Sequence, residues 1–360
     1  MDIFYESFGN IASAIQTPPG FIIGPISTFF GFIIDFIYRA IATVFTPINA
    51  LGFSIVIMTL MVRVPLIPSQ VKMLQNSKKT QLAKPELDKI RAKYGNTRDP
   101  ELRRKMAAEQ QAVNQKHGIN LLASCLPMLI IMPVFVALFS VFGRAFMFIP
   151  SIGESYSAVS YALMDLGPDW FRETGNAIIW PYLPTGNTSG QFINQFGQVS
   201  AMFYPGNVEN MNRAIHVFTE TDWQTIFYSL QGEQLYAVQS AHEAMLARQS
   251  FFGLNLVSRS GLQWPGIIIP ILTVGTMVYS TWQTQRLNPP TDPQSKMMQR
   301  IMLIVMPVMF AFFVVNAPSG VGLYWTAGNI FVVVQNIIVF KYFRHKIDPT
   351  IKKEPKDERR

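Results

Sequence analysis

Five stretches of this chain are almost free of polar residues: 50–68, 121–142, 266–282, 301–315 and 325–340. Each approaches the ~20 residues that an α-helix needs to cross a bilayer at about 1.5 Å per residue. The last four contain no Asp, Glu, Lys, Arg or His, and the first contains one charge, Arg63. Segments of alternating apolar and polar residues are too few for a transmembrane barrel. The pattern predicts an all-α polytopic membrane protein with five transmembrane helices. The spans are placed at 49–79, 119–143, 265–285, 300–316 and 324–341.

A sixth stretch, 21–46, is apolar but carries a polar position every fourth residue: Ser27, Gly31, Asp35, Arg39 and Thr43. That spacing draws one polar stripe along a helix. It predicts an amphipathic helix lying in the outer interface, with an Asp35–Arg39 pair at i, i+4. Residues 1–20 precede it as an external segment. Asp2 and Glu6 stand where a signal peptide would carry basic residues, so no cleaved leader is expected.

Composition agrees with this class. Hydrophobic residues make up 49% of the chain and charged residues only 14%, a balance that favours membrane over aqueous surroundings. The single cysteine, Cys125, excludes an internal disulfide and a cysteine-rich metal site, and it reads as a packed small residue. No cofactor or metal is called for. His216 and His242 lack a metal-ligand spacing.

Charge then orients the chain. Eight lysines and four arginines lie between Lys72 and Lys116, and no lysine occurs between Gly118 and Ser295. The positive-inside rule places 72–116 in the cytoplasm and 144–264 outside. The link 286–299 and the tail 342–360 are also basic and fall on the cytoplasmic side. Five spans then give an external N-terminus and a cytoplasmic C-terminus.

The cytoplasmic segment 80–118 reads as a helical hairpin. Its first arm opens at Pro85 and closes at Gly95. Its second starts with Asp99 as N-cap and Pro100 at the first helical position, and ends near His117-Gly118. Both arms are highly charged. Two readings stay open: a solvated helical pair, or a docking surface for an anionic partner. In the external segment 144–264, the stretch 209–249 looks helical. Asn187-Thr188-Ser189 matches a glycosylation acceptor. Residues 316–320 read as an outer turn.

Arg63 is the chemical oddity. An arginine deep in a span costs about 2.5–3.5 kcal/mol on insertion scales. No other predicted span offers it an acid. Pro65 should kink the helix beside it. Either Arg63 snorkels to an interface, or it lines a wet cavity and meets an anionic group from outside.

Several ordered motifs resemble the YidC-type membrane protein insertases (the YidC/Oxa/Alb family). They begin with Arg63 followed by Pro65-Leu66-Ile67-Pro68, the charged hairpin, and His117-Gly118-Ile119-Asn120. Cys125-Leu126-Pro127-Met128-Leu129-Ile130-Ile131-Met132-Pro133 follows. The match resumes at Ile269-Pro270-Ile271-Leu272 and at Met306-Pro307, and runs through Pro318-Ser319-Gly320 to Leu323-Tyr324-Trp325. It covers roughly 24–150 and 263–344. The chain looks like a short form without the large N-terminal external domain, but with a long segment at 144–264 where short members have a brief hairpin.

The resemblance implies a hydrophilic groove open to the cytoplasm and to lipid. Arg63, Thr59, Gln283, Tyr324 and Trp325 would be groove residues. It implies a non-enzymatic insertase and chaperone of the bacterial plasma membrane. Partners would be nascent membrane proteins, the ribosome, the Sec translocon and anionic lipids, with ribosomal RNA a contact of the basic tail. Recruitment would fall to Lys89, Arg91, Arg103, Arg104 and Lys105. No Walker-type phosphate loop occurs, so hydrophobic partition and membrane potential would drive insertion. A secondary transporter of an anionic solute is the alternative, although no internal repeat supports it. An assembly factor that holds membrane proteins without inserting them is a further rival.

Overall fold

A computed structural model describes residues 21, 23–44, 47–95, 99–119, 121–179, 208–287 and 293–347. The Asn187 acceptor, residues 1–20, the tail beyond 347 and the Cys125 side chain lie outside the described residues. The chain divides into two compact units. One comprises 1–58, 136–266 and 317–321; the other comprises 59–135, 267–316 and 322–360. Among the described residues four helices are long and apolar enough to cross a membrane: Ile23–Val44, Ala50–Tyr94, Lys296–Asn316 and Ser319–Val339. The expected spans at 119–143 and 265–285 are helical over Leu121–Gly143 and Ile268–Leu287.

In the first unit, α1 (Ile23–Val44) is inverted relative to a soluble amphipathic helix. The first three positions of its polar stripe, Ser27, Gly31 and Asp35, are buried, Arg39 and Thr43 are exposed, and Phe29, Phe32 and Phe36 are 60–67% exposed. Each of the three buried positions has a reason to face inward. Ser27 donates to the Ala137 carbonyl at 3.2 Å. Gly31 lies on the Phe148 backbone, where a Cβ would come within 2.8 Å of the carbonyl carbon. Asp35 accepts from Arg39 Nε at 2.7 Å, the predicted i, i+4 pair, and from the Ser151 amide at 2.7 Å.

That last bond caps α6 (Pro150–Met164; α2 to α5 are given below), whose own N-cap residue, Ile149, has no side chain able to do so. Asp35→Ala should therefore lower stability by about 1–2 kcal/mol, while Asp35→Asn, which keeps one acceptor, should lose less. Denaturant unfolding in detergent measures the difference.

The stretch 209–249 is helical as expected, in three pieces: α7 (Val208–Val217), α8 (Glu220–Tyr228) and α9 (Gly232–Gln249). Thr219 and Asp222 form a capping box at the start of α8. Both histidines are core residues. Burial pushes the His216 pKa down to about 4. The neutral ring donates from Nε2 to the Gly143 carbonyl at 2.7 Å and accepts at Nδ1 from the Tyr156 hydroxyl at 3.2 Å. His242 lies against Trp223, ring centroids 4.0 Å apart.

After α9 comes a small antiparallel pair, β1 (Ser250–Phe251) and β2 (Leu254–Asn255), an element that the helical reading did not include. The chain then runs along the turn at 317–320. Gly320 donates to Leu256 O at 2.7 Å, Ser319 to Ser258 O at 2.9 Å and Ser260 to Ala317 O at 3.1 Å. These bonds satisfy backbone groups that a turn between two apolar helices would otherwise leave open.

α2 (Ala50–Arg63) leads through a 3-10 turn, Val64–Leu66, into α3 (Ile67–Tyr94). The turn falls where Pro65 removes a backbone donor. Pro85, however, does not open a new helix. It sits inside α3, which runs unbroken into the first hairpin arm. An interior proline is unfavourable by about 3 kcal/mol, which contacts with the second arm, α4 (Pro100–Lys116), help to offset. Asp99 caps α4 as read from the sequence, accepting from the Glu101 amide at 2.8 Å.

Two glutamates clamp the arms. Glu86 meets Lys116 at 2.9 Å and His117 at 3.0 Å, and Glu109 meets Lys93 at 2.6 Å and Tyr94 at 2.8 Å. Lys79 adds a bond to Gly118 O at 3.0 Å. Hydrogen bonds from Lys116 and then His117 hold the Glu86 carboxyl below its ordinary pKa, and Lys93 and then Tyr94 do the same for Glu109. A depressed carboxylate stabilises the folded form above its unfolded pKa, about 4.3, and loses that effect as pH falls through the folded value. Protection factors of hairpin amides, corrected for the intrinsic pH dependence of exchange, should be flat from neutrality to about pH 5 and fall below about pH 4. Glu86→Gln with Glu109→Gln should bring the lower protection to pH 7.

The second unit is completed by part of α5 (Leu121–Gly143), α10 (Ile268–Leu287), α11 (Met306–Asn316) and most of α12 (Ser319–Ile347). A five-residue π-helix, Ile301–Val305, leads into α11. Leu74 and Val339 form a buried pair flanked by Val71. Beside it Gln335 donates to Gln70 Oε1 at 2.7 Å.

Candidate functional site

Arg63 closes α2, and the 3-10 turn that follows breaks the helical register there. Its partly buried guanidinium lies flat on Gly328 of α12. A Cβ on Gly328 would stand 2.9 Å from Cζ and from Nε, so only glycine leaves this space open. Tyr324, one turn earlier on α12, is 1% exposed and lies within electrostatic range of the guanidinium. Among the described residues Arg63 has no carboxylate partner and no hydrogen bond. A guanidinium carries five donors. It is thus an oriented cation with unused donors, held by shape alone.

The other expected groove residues stand in different surroundings. Thr59 is fully buried one turn before Arg63. Tyr324 is buried within electrostatic range of the guanidinium. Trp325 faces the opposite way, into an aromatic cluster with Phe310 at 4.3 Å and Phe135 at 5.1 Å, which Phe313 extends. Its indole Nε1 is buried there without a hydrogen-bond partner. Gln283 is engaged at both ends, accepting from Asn336 Nδ2 at 3.2 Å and donating to the Val333 carbonyl at 3.4 Å. Of the five, Arg63 alone is a partly exposed residue with a charge and several donors free; Trp325 is also partly exposed, but its one polar atom is buried.

Gln283 belongs to a ladder between α10 and α12 that sequence reasoning missed. Thr273 Oγ1 meets Gly322 O at 3.1 Å and Thr326 Oγ1 at 2.9 Å. Asn329 reaches Thr276 Oγ1 at 3.4 Å, and Asn336 also donates to Thr284 at 3.1 Å. Gly322 opens the seam. A Cβ there would collide with Ile269 and stand 3.2 Å from Val314. Interhelical bonds of this kind average about 0.6 kcal/mol in membranes. Several in register fix the face of α12 that carries Tyr324 and Gly328. The small residues Gly322 and Thr326, four apart, were the available signal.

On the hairpin, Lys89, Arg91, Arg103, Arg104 and Lys105 are all exposed. Arg91 approaches Asp88 at 3.7 Å. Among the described residues the other four have no ion pair, whereas Lys93 and Lys116 are committed to the clamp. Arg103, Arg104 and Lys105 lie in the first turns of α4. Cations there oppose the helix dipole, an effect felt mainly in the first turn, where Arg103 lies. Their placement does not serve the helix.

Comparison with known proteins bears on this arrangement. The family described as 60Kd inner membrane protein matches residues 43–195 and 225–346. The chain is 26% identical over 316 residues to the membrane protein insertase YidC of Oceanobacillus iheyensis, covering 88% of this chain and 83% of that one. It is 22% identical over 308 residues to the membrane protein insertase MisCA of Bacillus subtilis, covering 86% and 74%. A YidC of Leptospira interrogans is 26% identical over 288 residues, which are 80% of this chain and 30% of that one.

Proposed function

The chain belongs to the 60Kd inner membrane protein family, and from that premise we propose that it is a membrane protein insertase and chaperone. Its clients are nascent membrane proteins. It moves their hydrophilic external part through a polar intramembrane groove and releases their apolar segment into lipid. The observation that carries this reading is the Arg63 guanidinium, held on Gly328 without a carboxylate partner among the described residues. Moving a charged tail into hydrocarbon is the main barrier to insertion. A fixed cation with free donors lowers that barrier for acidic tails, and the step needs no covalent chemistry.

The same reading assigns α1 to the outer interface, its exposed phenylalanines toward acyl chains. The N-terminus is outside and the C-terminus cytoplasmic, as the absence of lysine from 118–295 suggests. The unpaired cations Lys89, Arg103, Arg104 and Lys105 make the hairpin the recruitment surface for the ribosome or the Sec translocon, and the basic tail contacts ribosomal RNA or anionic lipid.

Purified protein in proteoliposomes tests the function. A small single-span client with an acidic tail should become protease-protected with this protein present and remain accessible in empty vesicles. Flux of a small anion without client protection would identify a transporter instead.

A further inference from the structure

The β1–β2 turn places a largely exposed phenylalanine at a strained position, where, among the described residues, its ring meets only those of Phe251 and Phe53. Phe252 and Gly253 occupy its centre with φ of 48° and 80°. Two consecutive positive φ angles make a turn that favours Asn-Gly, because a bulky L-residue in the left-handed region is strained. Here the first position is phenylalanine, and its ring is 71% exposed at the tip. Local backbone preference and aqueous solvation both disfavour that choice. Something that accepts an aromatic ring must offset them.

The turn's attachment identifies it. The Asn49 amide donates to Ser250 O at 3.2 Å, and Asn49 Oδ1 accepts from the Phe252 amide. Asn49 immediately precedes Ala50, the first residue of the 45-residue helical rod that includes a membrane-crossing stretch. The Phe251 ring lies on Gly52, where it would overlap any Cβ. Phe53, 44% exposed, meets Phe251 and Phe252 edge-on at 5.4 and 6.3 Å. The turn is thus fixed within about one helical pitch of the point where an apolar span begins. Residues 249–258 contain no charge. An uncharged tip with an exposed aromatic ring at that depth has the character of the membrane-interface belts.

We propose that the Phe251–Gly253 turn is a lipid anchor: the Phe252 ring, with Phe53 beside it, sits at the boundary between headgroups and acyl chains and moors the long external segment to the bilayer. The partner is the lipid surface itself, independent of any client.

The test uses the full chain reconstituted in phosphatidylcholine vesicles. In a Cys125→Ser background, Phe252→Cys carries an environment-sensitive fluorophore, with Glu233→Cys on exposed α9 as the aqueous control. Spin-labelled lipid should quench the probe at 252, more strongly when the label is shallow in the acyl chain than when it is deep. Aqueous iodide should quench 233 several-fold more than 252. Equal iodide quenching at both sites, without lipid quenching, overturns the proposal. Shielding from iodide without lipid quenching also overturns it, because the ring is then covered by protein. A second variant keeps the ring and the fold: with Phe252→p-benzoylphenylalanine, irradiation should yield a phospholipid adduct, and a protein adduct alone would refute the anchor.

Discussion

Arg63→Ala should abolish insertion of clients with acidic external tails while leaving protein level and protease resistance near those of the parent. At an effective dielectric of ~20, a cation and a carboxylate 4 Å apart attract by about 4 kcal/mol, which sets an upper bound. A tenfold loss of rate needs only about 1.4 kcal/mol. Arg63→Glu should be worst, since two anions then meet in a partly buried site. Arg63→Lys separates two mechanisms. If charge alone serves the client, lysine should keep most of the activity. If the planar fork binds a carboxylate through two hydrogen bonds, lysine should fall close to alanine. The same client with its tail neutralised is the internal control. Equal loss for both clients would mean that Arg63 acts by keeping the site wet. No loss for either would leave only a snorkelling arginine.

The second large effect is expected at a residue with no chemistry of its own. Gly328→Leu should lower insertion toward the Arg63→Ala level, because the side chain would occupy the space where the guanidinium lies. Gly328→Ala should have a smaller effect, since the guanidinium is the far end of a flexible side chain and can move aside from a single methyl. Pairing Gly328→Ala with Arg63→Lys tells displacement from general damage. A slim ammonium does not need the flat surface that glycine provides, so the added methyl should cost the lysine protein less than the arginine protein. Thermal unfolding of each variant in detergent supplies the check: a fall in stability that parallels the loss of insertion would assign Gly328 to helix packing instead.

Where the reading stopped short of the structure, each gap has a physical cause. Pro85 looked like the start of a helix because proline is common in a first turn. It lies inside one because Glu86 and Glu109 tie α3 to α4 on either side of the arm. The polar stripe of α1 predicts an interfacial helix but not which neighbours the stripe meets. Ser27 and Asp35 are bonded within the first unit, and the phenylalanines are left outside. The resemblance implies Gln283 as a groove residue, a role that depends on what its amide meets. Both of its ends are occupied by α12.

By itself the sequence determined the class, the apolar helices, the basic hairpin and the one charge within an apolar stretch. These follow from hydropathy and charge counted along the chain, and neither depends on what meets what. Only the tertiary structure decided which face of each helix is inside, and that Gly328 is the surface on which Arg63 rests. A glycine is identical in sequence whether it faces lipid or a guanidinium, and the difference lies in another helix some 265 residues away (Gly328 against Arg63). The α10–α12 ladder is of the same kind. Thr273, Asn329 and Asn336 are each ordinary in an apolar span, and only when paired across the seam do they become the frame that holds the site.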